Sequence, residues 1–164
     1  MTRFTETRSS LRGALVLAIC VVAADQALKW LILSRVMALP RVIEVTPFFN
    51  LVLVENRGIS FGLFGAGTLP PWLLVGLAAA IVIGLGVWAW RSGRPLVLLA
   101  AALVVGGALG NAIDRLLRGA VIDFVDLHAF GWHWPAFNLA DSAIVVGAGV
   151  LLLDGLFARE SVVK

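Results

Sequence analysis

The amino-acid sequence predicts an all-α membrane protein with four transmembrane helices, both termini cytoplasmic, and a small extracytoplasmic β-sheet in the first outer loop. Three observations carry that expectation. Of the 164 residues, 60% are hydrophobic and only 14% charged, and the mean hydropathy is +0.98. A soluble domain carries roughly 25% charged residues, so this chain lacks the polar surface to cover a water-facing globule. Four stretches, at about 14–33, 69–90, 95–117 and 139–157, reach the length of about 20 apolar residues that a hydrocarbon core requires. Basic residues also gather in alternate connections, as they do in membrane proteins of fixed orientation.

The first stretch is interrupted by Asp25 and Lys29, and apolar sequence resumes from Leu28 to Leu33. The basic start and Val22-Ala-Ala24 resemble a cleavable export signal, but the full length favours a retained span. Cys20 lies in this run; a lone cysteine excludes an intramolecular disulfide framework, and the simplest expectation for it is a small buried hydrophobe. The second stretch has no charge at all. The third acquires Asn111, Asp114 and Arg115 only near its end, and the fourth opens on Asp141 and closes near Asp154. Backbone groups in lipid must be satisfied within the segment, so all four are expected to be helices. The length suits a single domain, 1–164.

Orientation follows from the arginines. Arg3, Arg8 and Arg12 precede the first span, Arg91 and Arg94 fill the second connection, and Arg159 and Lys164 follow the last. The positive-inside rule puts these segments in the cytoplasm and the connections at about 34–68 and 118–138 outside. In the first of those, Arg41-Val-Ile-Glu-Val and Phe48-Phe-Asn-Leu-Val-Leu-Val54 are rich in β-branched and aromatic residues, and Asn56-Arg-Gly58 reads as a turn. The second ends in Phe130-Gly-Trp-His-Trp-Pro-Ala-Phe137, whose tryptophans suit a membrane–water interface. Gly106 and Gly110 would let another helix approach the third span closely. The net charge is +3, but no basic run is built to track nucleic acid, so no nucleic-acid partner is expected.

Ionisable groups at membrane depth are costly and each is a candidate for function. Asp25 and Lys29, four apart, can pair on one helical face, or Lys29 can snorkel to the interface. Asn111, Asp114 and Arg115 share a face and read as a helix-end clamp. Asp123, in an apolar setting after the third span, and Asp141, opening the fourth, are brought to the same membrane level by the topology. Two close carboxylates in a low dielectric cannot both ionise, so one holds a proton while the other stays basic, the equipment of an aspartic hydrolase. The competing reading makes Asp141 a helix N-cap and Asp123 a surface charge. No His-Glu-x-x-His pattern exists, and His128 and His133 read as interfacial side chains rather than metal ligands. A serine–lysine pair of Ser60 or Ser142 with Lys29 is conceivable, without a Gly-x-Ser-x-Gly motif to support it.

At these residues the chain resembles bacterial lipoprotein signal peptidase, also called signal peptidase II. Five blocks carry the resemblance, in order: Asp25-Gln-Ala-Leu-Lys29, Asn56-Arg-Gly-Ile-Ser-Phe-Gly62, Gly106-Gly-Ala-Leu-Gly-Asn-Ala-Ile-Asp-Arg115, Val121-Ile-Asp-Phe124 and Phe137-Asn-Leu-Ala-Asp-Ser142. Ile59-Ser60 departs from the small alanines common there. The resemblance implies a catalytic dyad of Asp123 and Asp141, with Asp25, Lys29, Asn56, Gly58, Asn111, Asp114, Arg115 and Asn138 supporting it or receiving substrate. It implies a diacylglyceryl-prolipoprotein substrate cut before its lipid-modified cysteine, a place in the bacterial inner membrane with the site near the outer leaflet, no metal or cofactor, and membrane lipid around an expected monomer. A small proton-coupled carrier would also place carboxylates in helices, but would normally use more spans.

Overall fold

The computed structural model describes residues 2–39, 41–58 and 70–160, without the side chains of 2–9 and 158–160. Residues 59–62 of the second block and Lys164 lie outside the described residues, as do the side chains of Arg3, Arg8 and Arg159. Four helices, α1 (Thr2–Leu31), α2 (Pro71–Ser92), α3 (Pro95–Arg118) and α4 (Leu139–Glu160), are each long and apolar enough to cross a membrane. Local chemistry sets their ends. Proline stands at the first position of α2 and of α3, where its missing N–H costs nothing. Gly93 and Gly119 close the same two helices at φ +64° and +75°, a conformation that glycine adopts without strain. After Leu31, α1 widens into a π-helical turn, Ile32–Val36.

The sheet is larger than expected. The strands foreseen in the first loop form as β1 (Ile43–Thr46) and β2 (Phe49–Asn56). Two more, β3 (Val121–Ala129) and β4 (Trp132–His133), come from the connection between α3 and α4 and complete an antiparallel order β1-β2-β3-β4. The fold is therefore mostly helical with a sheet built from both loops, not an all-α bundle with a sheet in one. Phe124, Ile32 and Met37 form a buried cluster that ties this sheet to the end of α1. The β3–β4 hairpin turns through Phe130 and Gly131 at φ 52° and 79°, the backbone that a two-residue hairpin loop favours.

Helix α3 is the centre of the bundle and packs against α1, α2 and α4. Small residues make that possible: a Cβ on Gly106 would lie 2.8 Å from Val21 Cβ, and one on Gly110 2.7 Å from Asp25 Oδ2. The outer faces remain apolar and exposed, as with Ile19, Leu77, Ile83 and Leu152. Cys20 belongs to that outer face and is exposed, which corrects its expected burial. At the opposite end from the sheet, Arg94 grips Asp154 with two hydrogen bonds of 2.6 and 2.5 Å, joining the start of α3 to the end of α4.

Gly106→Ala is expected to destabilise the bundle by about 1–3 kcal/mol, the usual cost of overpacking. Gly84→Ala meets nothing within 4 Å and should be neutral. Thermal unfolding in detergent measures both, and equal stability of the two variants would contradict the close α1–α3 approach.

Candidate active site

Two polar layers meet where α1, α3, α4 and the sheet converge. The deeper one is an ion cluster. Lys29, completely buried, lies 2.8 Å from Asp25 and 2.7 Å from Asp114 and donates a third bond of 3.1 Å to Asn111 Oδ1. All three of its protons have partners, so it neither snorkels nor serves Ser142 as a base. Asp114 also receives Arg118 at 2.6 Å and the Ile122 N–H at 3.2 Å. Asp25 accepts the Ala140 N–H at 3.1 Å. Gln26 spans Asp25, Asp114 and the Gly110 carbonyl. Two carboxylates and two cations balance, which is the condition for keeping charge away from water.

The clamp foreseen between Asp114 and Arg115 does not form. Adjacent residues on a helix point about 100° apart, whereas positions four apart share a face, so Asp114 pairs with Arg118. Arg115 leaves the cluster and reaches the Asn111 and Gly58 carbonyls at 3.5 Å. Its buried Nε has no partner, and the guanidinium lies within electrostatic reach of Asp141 and Asp123.

The second layer holds Asp123 and Asp141, gripped by three asparagines of which Asn138 alone bonds both. Asp123 stands on β3, 1% exposed. Asn138 Nδ2 donates to one of its oxygens at 2.6 Å and Asn56 Nδ2 to the other at 3.0 Å. Sheet register places Asn56 opposite Val121, diagonal to Asp123 and within side-chain reach. Asn56 Oδ1 in turn accepts the Gly58 N–H at 3.1 Å, which fixes the amide's orientation. Asp141 accepts Asn111 Nδ2 at 2.8 Å and the Asn138 N–H at 3.2 Å.

The capping expectation needs correcting in one respect. Asn138, rather than Asp141, caps α4: its Oδ1 accepts the Asp141 N–H at 2.9 Å while Asp141 reaches back to the Asn138 N–H. This reciprocal arrangement is a capping box. It also makes Asn138 touch both aspartates, and Asn111 passes from Lys29 and Asn138 to Asp141. The structure thus brings all ten singled-out residues into one connected network, with Gln26, Arg118 and the Ala140 and Ile122 N–H groups added. Of these, Gln26, Ile122 and Ala140 lie inside the blocks that carry the resemblance, and Arg118, outside them, was signalled by its i,i+4 spacing from Asp114.

Burial pushes the Asp123 carboxyl up to about 6. The Asn56 and Asn138 hydrogen bonds and the Lys29 charge oppose that rise, and the Asp141 charge adds to it. Because the folded protein holds this proton more tightly than the unfolded chain, ionising Asp123 costs stability as pH rises from 3.8 to about 6. Asn56→Leu removes a donor that stabilises the anion. Infrared titration of the carboxyl band should then show Asp123 ionising at higher pH than in the wild type. An unchanged or lower midpoint would contradict the assigned hydrogen bond.

Neither alternative chemistry gains partners. Ser142 Oγ donates to the Asn138 carbonyl at 3.0 Å, and Ser60 lies outside the described residues. His133 stacks on His128, ring centroids 4.9 Å apart, and sits 2.9 Å from Asp126. Among the described residues no group of three or more His, Cys, Asp or Glu side chains could hold a metal.

A family model described as signal peptidase (SPase) II matches residues 17–157. Lipoprotein signal peptidase of Methylorubrum extorquens (strain PA1) is 48% identical over 150 residues, covering 90% of this chain and 88% of that protein. Lipoprotein signal peptidase of Paraburkholderia phytofirmans is 45% identical over 163 residues, covering 95% and 94%. A solved bacterial membrane enzyme, determined by the in meso method at 2.3 Å, superposes with a TM-score of 0.79 at 30% identity over 91% of this chain and 90% of its own.

Proposed function

Because the chain belongs to the signal peptidase II family, we propose that it is an aspartic endopeptidase whose acid and base are Asp123 and Asp141. It is a multi-pass membrane protease that removes signal peptides from lipoproteins. The substrate is a prolipoprotein carrying diacylglycerol on its cysteine, and cleavage falls just before that residue. The observation that carries the mechanism is the shared Asn138, which bonds both carboxylates and holds them at one site.

The chemistry follows from that pairing. A water between the carboxylates loses a proton to the ionised one as its oxygen attacks the scissile carbonyl. The protonated carboxyl gives its proton to the developing oxyanion. As the tetrahedral intermediate collapses, the C–N bond breaks and the proton taken from water passes to the leaving amine. A diol hydroxyl returns its proton to the other carboxylate, so that a carboxylic acid leaves and both side chains are restored. Asp123, with the raised pKa, is the better proton holder, and Asp141 the base. Lys29 acts at one remove, orienting Asp141 through Asn111. Arg115, with its unpaired Nε, and the Gly58 carbonyl beside it are placed to receive substrate backbone.

The orientation belongs to the same proposal. Arg12, Arg91 and Arg94 lie at the bundle end away from the sheet, so the positive-inside rule puts both termini in the cytoplasm of a bacterial inner membrane. The sheet and the dyad then face the outer leaflet, where a lipid-anchored substrate can approach sideways. The protein acts as a monomer without metal or cofactor. The carrier alternative finds no support among the relatives.

The test is purified protein in liposomes with a diacylglyceryl-modified prolipoprotein. Mass spectrometry should find a product beginning at the lipidated cysteine, and no cleavage of the unlipidated precursor. Failure to cleave the lipidated precursor would overturn the reading.

A further inference from the structure

Between α4 and the return of the β3–β4 hairpin runs an open groove of about 510 Å³. Leu127, Trp134 and Phe137 wall it on the sheet side, and Ile144, Val145 and Val146 on the helix side. Its lining side chains are apolar except at one end, where Asp141 and Ser142 line it. The other end opens onto the outer face of α4, where Val145 and Val146 are 70% and 56% exposed. That face continues through Leu152 and Leu153, also exposed, the apolar surface that a spanning helix turns to lipid. The groove therefore connects the lipid-facing surface to an aspartate of the dyad.

Its volume selects the occupant. A helix 10–12 Å across fills roughly 500 Å³ in a single turn, so the groove holds about one turn of helix. That is too little for the apolar helix of a signal peptide. A thin, unbranched hydrocarbon chain fits the same space along its length.

We propose that this groove seats an acyl chain of the lipid-modified substrate and so holds the modified cysteine beside Asp141. The inference rests on the lipoprotein-processing function proposed above. A chain leaving the bilayer was already among hydrocarbon, so the groove contributes little hydrophobic attraction. Its contribution is position: a chain lying along α4 fixes where the scissile bond stands relative to the dyad.

The test uses a diacylglyceryl prolipoprotein with a photoreactive diazirine in mid-chain, added to the full-length protein in liposomes. Adducts mapped by peptide mass spectrometry should concentrate on Trp134, Val145 and Val146, over Leu77 and Ile83, which are comparably exposed on α2. Excess unlabelled precursor should suppress them, and excess phospholipid should not. Val145→Trp, which fills the groove, should raise KM about tenfold with kcat little changed. Adducts spread evenly over lipid-facing helices, suppression by phospholipid, or an unchanged KM would overturn the proposal. So would a diazirine in the signal peptide that labels the groove instead. Cleavage of unlabelled precursor is read in the same liposomes. An active protein with adducts elsewhere overturns the groove alone, whereas an inactive wild type overturns the lipoprotein-processing reading and the groove with it.

Discussion

Asp123→Asn and Asp141→Asn are each expected to lower kcat by about 10²–10⁴, the range that a positioned proton donor or acceptor contributes. The substitution keeps shape and hydrogen-bonding size while removing the ionisable proton. At position 141 the amide oxygen can still accept the Asn138 N–H while the Asn138 cap is untouched, so the start of α4 holds and the bond given up is the one from Asn111. At position 123 one oxygen remains for two amide donors, a loss that costs some stability without removing the strand from the sheet. Turnover of lipidated precursor and thermal unfolding, measured together, separate lost chemistry from a lost fold. Near-normal turnover in either variant would make that aspartate structural.

Lys29→Met is expected to be the most damaging single change to the fold. It removes the cation shared by Asp25 and Asp114, leaving Asp25 buried without a cation and Asp114 with Arg118 alone. Breaking a buried ion pair on one side typically costs about 3–5 kcal/mol, because the stranded charge has neither water nor a partner. The loss should appear as a large drop in unfolding temperature and in folded yield. Asp25→Asn in the same chain should recover part of it, since one stranded charge is then gone. If Lys29→Met unfolds like wild type, the ion cluster does not hold the bundle together. Activity should fall as well, because Asn111 loses the ammonium that orients it toward Asp141.

The helices were legible because spanning a bilayer imposes a length and a composition that survive in any sequence window. The strands of the first loop were legible from their β-branched and aromatic content. Their partner β3 was not, because Val54 and Asp123 meet across 69 residues, and no local pattern encodes such pairing. For the same reason the sheet's share in placing Asp123 came only with the fold. At the site, Asp123 and Asp141 could be named from apolar setting, topology and resemblance. What the sequence could not give was the traffic between them: that Asn138 bridges both, or that Asn56 reaches Asp123 diagonally across two strands. Arg115 misled because it is adjacent to Asp114 in sequence, whereas helical geometry gives Asp114 to Arg118.

Asp123 and Asp141 acting as a single acid–base unit is the central claim, and turnover of the Asp123→Asn/Asp141→Asn double variant tests it most directly. Groups that work as a unit give losses that do not multiply. The double variant should cleave lipidated precursor no more slowly than the slower single variant. Losses that multiply, with each single variant keeping substantial turnover, would show two independent contributions and contradict a dyad.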